Sequence, residues 1–565
     1  MPSMMTPPRS RVTGAHLQKF DPTEQSKVEA SELSAGARSA GEDKRTRMRR
    51  ILGLFGGIIA AAAVYGLMSM DGEMEAWPRI VAASAVLMGI WWMTEAIPIP
   101  ATALLPLIIF PMLVPEGDYG ADEEPAGGVG FDDVGASYGN NIIFLFMGGF
   151  MLALAMQRWN LHRRIALVTL NIMGARPVML IAGFMVATGF LSMWVSNTAT
   201  AVMMLPIGIS ILMLVQKVMD PEAAAAAEDD EEEAKAQVIK SNFGTALMLG
   251  IAYAASIGSL GTIIGTPPNT FLVGFMADHP EQPMNIGFGQ WMLVGVPLSV
   301  IMLIIAWALI TQVIFRPEID EIPGGKELIR DELQKLGRMS PAEIRVLLIF
   351  ILAAASWVFI PMITDVLYAQ DMIGSDDPFI SDAGIAMCIG LILFLMPAGA
   401  EAGVRLLDWE YAAKLPWGVL LLFGGGLALS GQFSASGLSD WIGDQMGGLA
   451  GVPVWLLVLV AAGGVLLLTE MTSNTATAAT FIPVIAGVAM GTNVDVLVLA
   501  APVALAATCA FMLPVATPPN AIAFGSGYVT IGQMVKGGII LNLIGVVLIT
   551  LVSMTLLLWV FGLSL

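Results

Sequence analysis

The sequence predicts an all-α polytopic membrane protein with about eleven transmembrane helices plus two re-entrant hairpins, arranged as two inverted-topology repeats. Three observations carry this expectation. Of the 565 residues, 56% are hydrophobic and 13% charged, with a mean hydropathy of +0.76, a balance too apolar for a soluble globule. A polar phrase set in apolar sequence is written twice, Ser196-Asn197-Thr198-Ala199-Thr200 and Ser473-Asn474-Thr475-Ala476-Thr477. A second pair follows in each half, Gly265-Thr266-Pro267-Pro268-Asn269 and Ala516-Thr517-Pro518-Pro519-Asn520.

Taken in order, residues 1–45 are polar, with no apolar stretch, and read as a disordered cytoplasmic tail. Arg45, Arg47, Arg49 and Arg50 abut the first apolar run, Ile51 to Met70, which is long enough to span and places the N-terminus inside. Further spans are expected near 79–96, 98–115, 140–157, 244–276 (broken), 291–315, 342–365, 380–398, 414–434, 497–527 (broken) and 538–562. The polar phrases interrupt two segments of about 39 residues, 177–215 and 453–491, each the length of two half-depth arms and a tip or of two thin spans, so length alone does not decide. The expected domains are N-terminal membrane helices (46–130), a first repeat (131–316), a cytoplasmic linker (317–341) and a second repeat (342–565).

Charge orders these spans. With both segments re-entrant, Arg79 is the only basic residue left outside, and Arg158, Arg163, Arg164, Arg176, Lys217, Lys235, Lys240, Arg316 through Arg345, Arg405, Lys414 and Lys536 fall inside. A lipid-facing turn at mid-depth would leave its backbone unsatisfied, so the polar tips favour hairpins buried in protein.

The repeat is visible in the spacing. Phe146 and Phe423, Gly148 and Gly425, Leu161 and Leu438, and Ser196 and Ser473 all stand 277 residues apart. Thr266 and Thr517 are 251 apart, the shortfall matching an insert around Pro221 to Lys240. The expected topology runs the Gly148 and Gly425 spans in opposite directions. Broken segments at matching positions of two halves are the best sequence pointer to a central binding site in secondary transporters.

Several classes are excluded. Cys388 and Cys509 sit in apolar runs and form no disulfide framework or paired metal motif. His16, His162 and His279 are scattered outside the spans, which opposes a histidine metal cluster. No basic, aromatic-interleaved patch suggests nucleic acid. An enzyme or sensor reading lacks a nucleophile–base pair and any appended domain. The run Glu228 to Glu233 reads as a solvated loop, Trp91 and Trp92 as packing or interfacial residues, and Gly148, Gly149 and Gly424 to Gly426 as close-packing positions. Glu95 reads as an interfacial residue or a functional one, and Glu470 either tunes a cation site or caps a hairpin arm.

Trp91-Trp92-Met93-Thr94-Glu95-Ala96-Ile97-Pro98-Ile99-Pro100, then Thr102-Ala103-Leu104-Leu105-Pro106, with both SNT and both TPPN phrases, resemble the divalent anion:sodium symporter family, on its sodium/dicarboxylate branch. The likeness runs from about residue 51 to the end and omits the tail and the acidic insert. It implies a homodimer in the cell membrane, each protomer with a scaffold and a moving transport domain working as an elevator. It further implies that Asn197, Thr198, Asn474 and Thr475 hold substrate carboxylates, with Thr517, Pro518 and Thr266 lining the same pocket. By the same resemblance Ser192, Ser196, Asn197 and the Gly265 backbone form one Na+ site, and Thr469, Asn474 and the Ala516 backbone form its mirror. The implied activity is Na+-driven uptake of C4-dicarboxylates such as succinate, malate or fumarate. Sulfate, citrate or Na+-independent dicarboxylate exchange are the alternatives on the same fold.

The physics points the same way. No Arg or Lys lies in the four phrases or their apolar arms, and helix N-termini supply only about half an elementary charge each. Bound Na+ is the natural source of the missing positive charge, because hydroxyl, amide and carbonyl oxygens are ligands that hard cations prefer.

Overall fold

The structure is a computed structural model that describes residues 44–70, 74–114, 129–174, 176–219, 241–319, 322, 325–370, 372, 378–449 and 451–564. The expected tail, up to residue 43, and the run Glu228 to Glu233 lie outside the described residues. By internal packing the chain divides into Met1–Leu52 and Gly53–Leu565. The described part of the first unit is the beginning of the helix Lys44–Met68, and the second unit holds all that follows.

Among the described residues the only β pairing is an isolated bridge between Pro397 and Arg405; the elements are helices. Eight helices are long and apolar enough to cross a membrane, or nine if Leu438–Leu449 and Val454–Thr469, bent by 118°, count as one span. Seven of the eight match expected spans; the eighth is Asn474–Gly491, the second arm of the second expected hairpin. Length therefore does not separate a hairpin arm from a crossing helix there.

The four remaining spans are interrupted or short, each for a local reason. The segment expected at 98–115 forms two helices, Ile99–Thr102 and Pro106–Leu113, the second starting on Pro106, whose missing N–H costs nothing at a helix start. Asp382–Leu395 has 14 residues, about 21 Å of helix. The two broken spans resolve into Asn242–Ser259 with Pro267–Ala277, and Val496–Thr508 with Pro518–Gly525. In each, Pro-Pro opens the second half after an extended threonine, Thr266 (φ −142°) and Thr517 (φ −138°). The chain before a proline is biased away from the helical region, so each first half stops short of it.

The first halves form the centre of the molecule. Every residue from Phe243 to Ser259 and from Val496 to Thr508 is buried, as expected of helices apolar on all sides. Small residues permit this. A Cβ on Gly258 would stand 2.2 Å from the Gly189 carbonyl oxygen, one on Gly148 2.4 Å from that of Ala386, and one on Gly425 2.1 Å from that of Ala103. Of the glycines singled out in the sequence, Gly148 and Gly425 are thus backbone-contact positions, while Gly149, Gly424 and Gly426 meet the side chains of Ile264, Tyr138 and Phe271. The periphery is the opposite: Leu348, Ile351, Leu352, Phe359 and Ile363 of Pro341–Ala369 point outward and are exposed, the pattern of a lipid-facing helix.

The 277-residue register reappears in the helix limits. Pro177–Ser192 matches Val454–Thr469 at both ends, and Asn197 and Asn474 open the following helices. Leu161–Met173 and Leu438–Met446 start on register mates, each after a left-handed residue, Asn160 (φ 56°) and Gly437 (φ 73°). Phe146 touches its own mate Phe423, ring centroids 5.1 Å apart.

Three amphipathic helices were not anticipated from the apolar runs: Leu161–Met173, Gly325–Lys335 and Leu438–Met446. Their polar faces hid them from a search for spans. Gly325–Lys335, inside the expected linker, is tied to Leu161–Met173 by Arg163–Glu332 (2.8 Å), while Arg164 pairs with Glu343 (2.8 Å) at the start of Pro341–Ala369. Glu95 is the C-cap of Ala76–Thr94, with φ 51°.

Candidate functional site

The four phrases all become helix starts. Helices open at Asn197 and Asn474 after short turns, and at Pro267 and Pro518 after the breaks. The first N–H groups of a helix lack intrahelical partners and carry the positive end of its dipole. The helices pair crosswise: the one from Asn197 packs on the one from Pro518, and the one from Asn474 on the one from Pro267. The two halves therefore share one site region. Ser196 Oγ accepts from Ala199 N (3.3 Å) and Thr517 Oγ1 from Asn520 N (3.3 Å), capping two of the four starts. Thr266 instead places its hydroxyl 3.1 Å from that of Thr508.

The second half builds a nest of oxygens. Thr469 Oγ1 donates to the Ala507 carbonyl at 2.8 Å. One terminal atom of the Asn474 amide lies 2.9 Å from Thr469 Oγ1 and 3.1 Å from the carbonyl oxygens of both Ala507 and Ala516. Amide orientation is assigned from surroundings, and these surroundings allow two occupants. As NH2 this atom donates to these oxygens; as Oδ1 it adds a fourth oxygen to the cluster, a donor set of the kind hard cations prefer. Thr469 is fully buried and Asn474 half-buried.

The first half is less assembled. Ser192 Oγ donates to the Ala255 carbonyl at 2.5 Å, the counterpart of Thr469 on Ala507. Asn197 Oδ1, however, accepts from Thr198 N at 2.8 Å and from Thr198 Oγ1 at 3.4 Å, so its amide is engaged at its own helix start rather than with Ser192. Gly265 approaches Ser259 so closely that a Cβ would stand 2.3 Å from that carbonyl oxygen. Thr198 is half-buried, and Thr475 and Asn197 are each 9% exposed at the edge of the interior.

Each break is stitched by a residue that the phrase contains but that was not assigned a role. Asn269 Nδ2 donates to Leu260 O (3.2 Å) and Thr262 O (3.0 Å); Asn520 Nδ2 donates to Ala510 O (3.2 Å) and Leu513 O (3.1 Å). These amides bond carbonyls of the non-helical stretch between the two half-helices, where the helical ladder is interrupted. Glu470 binds the second break through Phe511 N, Met512 N and Leu513 N, and reaches Asn542. Ala255 and Ala507 contribute only carbonyls, which no side-chain pattern announces.

A cavity of about 380 Å³ flanks the first hairpin, lined by His162, Arg163, Met203, Pro206, Ile207 and Glu332. A neighbouring one of about 300 Å³ shares His162 and Met203 and extends to Ala199 and Thr200 of the first phrase. Burial lowers the His162 imidazole below its ordinary value, leaving it neutral at pH 7. The Lys335 and Arg163 side chains hold Glu332 below the usual carboxylate range.

The family model described as the sodium:sulfate symporter transmembrane region matches residues 53–563. The chain belongs to this family of divalent anion:sodium symporters. As a symporter-family member it is a transporter and not an enzyme. Among curated members of this family, the sodium-dependent dicarboxylate transporter SdcS of Staphylococcus saprophyticus is 42% identical over 516 residues, covering 90% of this chain and 92% of the relative. SdcS of Staphylococcus aureus strain NCTC 8325 is 43% identical over 476 residues, 84% of each. Two solved structures share the symporter's fold at low identity. The YdaH transporter of Alcanivorax borkumensis has a TM-score of 0.52 at 13% identity, covering 85% of this chain and all of that one. MtrF of Neisseria gonorrhoeae has a TM-score of 0.50 at 12% identity, covering 84% and 97%.

Proposed function

We propose that this protein is a Na+-coupled symporter that carries C4-dicarboxylates such as succinate, malate and fumarate into the cell. The observation that carries the reading is the oxygen nest of Thr469, Asn474, Ala507 and Ala516, which gives a hard cation four ligands in a site region with no basic side chain in any phrase. SdcS relatives at 42–43% identity support dicarboxylate over sulfate as cargo.

In this reading Thr469, Asn474 and the Ala516 carbonyl hold one Na+. Ser192, Ser196, Asn197 and the Gly265 carbonyl hold another once the Asn197 amide turns from Thr198. Asn197, Thr198, Asn474 and Thr475, with Thr266, Thr517 and Pro518 lining the pocket, receive the two carboxylates at four helix N-termini. Asn197 and Asn474 serve both ions, so cation and anion each stabilise the geometry the other needs. The charge logic is simple: a dianion in a low-dielectric site is poorly held by partial charges alone, and Na+ offsets the rest.

The two repeats run in opposite directions across the plasma membrane, with the N-terminus and linker on the cytoplasmic side. Contact between the register mates Phe146 and Phe423 supports a pseudo-two-fold axis between the halves. The hairpins and broken helices move together as an elevator against the N-terminal helices, in a homodimer. The cavities reaching Ala199 and Thr200 beside the linker helix support a path to the cytoplasm.

The test is labelled succinate uptake into proteoliposomes of the purified protein, under an inward Na+ gradient or an equal K+ gradient. Uptake in Na+ alone is expected. Uptake in K+ that requires internal dicarboxylate would replace symport with exchange, and sulfate uptake without succinate uptake would replace the cargo.

A further inference from the structure

At one position the repeat register sets unlike residues side by side. Glu470 stands 277 residues after Met193, and both occupy the turn of a hairpin next to a break. In the first half the tie is neutral: Thr262 of the break donates its hydroxyl to the Met193 carbonyl at 2.5 Å. In the second half the tie is a carboxylate. Glu470 Oε1 accepts from Phe511 N (2.8 Å) and Met512 N (2.9 Å), Oε2 from Leu513 N (3.0 Å), and Asn542 Nδ2 donates to Oε1 at 2.6 Å. The side chain is 2% exposed.

Both oxygens are met by hydrogen-bond donors, three backbone N–H groups and the Asn542 amide. All four donors are neutral groups. A buried carboxylate without a cationic partner is costly, and this one directly follows Thr469, a wall of the oxygen nest. The turn that it holds leads straight to another wall, since Ala516 N bonds to Leu513 O at 3.2 Å. One side chain thus both shapes the nest and places a full negative charge beside it.

We propose that Glu470 makes the two cation sites unequal: as a positioning residue it holds the Phe511–Leu513 turn in place for the second site and supplies the charge that the first site, with Met193, lacks. The inference rests on the reading of the Thr469–Asn474–Ala516 nest as a Na+ site. The second site therefore binds Na+ more tightly and fills first. A cation there returns the benefit by neutralising the buried carboxylate.

The experiment compares the wild type and Glu470→Gln, both full length in proteoliposomes. It reads the Na+ concentration for half-maximal succinate uptake and, separately, the succinate KM at saturating Na+. Loss of a unit charge near the site raises the Na+ requirement about tenfold, while the succinate KM at saturating Na+ stays within about twofold of wild type. An unchanged Na+ requirement, or equal rises in both quantities, would overturn the proposal. Should Glu470→Gln fail to fold, hydrogen exchange of the wild-type Phe511, Met512 and Leu513 amides in K+ buffer decides. Slow exchange without Na+ supports a turn held by the carboxylate, and fast exchange that slows only on adding Na+ overturns it. Equal wild-type uptake in Na+ and K+ would instead remove the symport reading beneath the proposal.

Discussion

Thr469 shows how much one hydroxyl carries. It lies on a wall of the second nest, where its oxygen meets both the Ala507 carbonyl and the Asn474 amide. Ser and Thr in membrane helices commonly bond back to a carbonyl one turn earlier, as Thr472 does to Leu468 and Thr480 to Ala476. Thr469 and Ser192 instead reach across to another helix, the distinction between a locally satisfied hydroxyl and one available to a ligand. Thr469→Ala should leave the fold intact and raise the Na+ concentration for half-maximal uptake about tenfold, the cost of one lost ligand being about 1–2 kcal/mol. A Na+ titration of succinate uptake checks it, and an unchanged midpoint would return Thr469 to packing. The spacing of Ser192 and Thr469 from the two Asn residues was legible in sequence; the carbonyls of Ala255 and Ala507 were not, because a backbone ligand leaves no mark on residue type.

Among the elements, the helices with no polar face occupy the centre, and their packing depends on absent side chains. Gly258→Val would drive a side chain into the Gly189 carbonyl, which is backbone and cannot step aside. The expected loss is about 1–3 kcal/mol of stability, seen as a lower thermal midpoint in detergent; a wild-type midpoint would mean the helices can separate freely. The amphipathic helix Gly325–Lys335 depends on charge instead. Glu332, held below the ordinary carboxylate value by Lys335 and then Arg163, stabilises the docked helix above that ordinary value. The contribution disappears as pH falls through the lowered one. Because Lys335 is exposed and Arg163 and Glu332 are partly so, the effect is screened and small. Hydrogen exchange in 325–335 should therefore be faster in Glu332→Gln than in wild type at pH 7, and the two should converge once the pH has fallen through the lowered Glu332 value; a difference that persists in acid would assign the effect to packing.

For the whole molecule, the decisive property is coupling between ions. If Asn197 and Asn474 serve cation and anion together, Na+ must tighten succinate binding by the same factor by which succinate tightens Na+ binding, since linkage is reciprocal. Calorimetric titrations of the purified protein, each ligand at several fixed concentrations of the other, measure both factors. Unequal factors, or affinities that ignore the other ion, would separate the sites that the crosswise packing of helix starts brings into one region.

The sequence by itself determined the membrane class, the order of the apolar segments, the register of the two halves and the four phrases at which helices start. These depend on composition and on local chemistry, above all the missing donors of Pro-Pro and the extended residue before it. It left the three amphipathic helices unseen, because their apolar faces are half-width, and it left Glu470 with two readings. Only the tertiary structure decided that Glu470 binds the Phe511–Leu513 turn, that Asn269 and Asn520 stitch the breaks, and that Asn474 lies among three oxygens while Asn197 does not. Thr469 meets a carbonyl 38 residues away and Glu470 meets N–H groups 41 to 43 residues away, and a carbonyl or an N–H has the same chemistry in every residue that carries it, so only folding can select which ones meet.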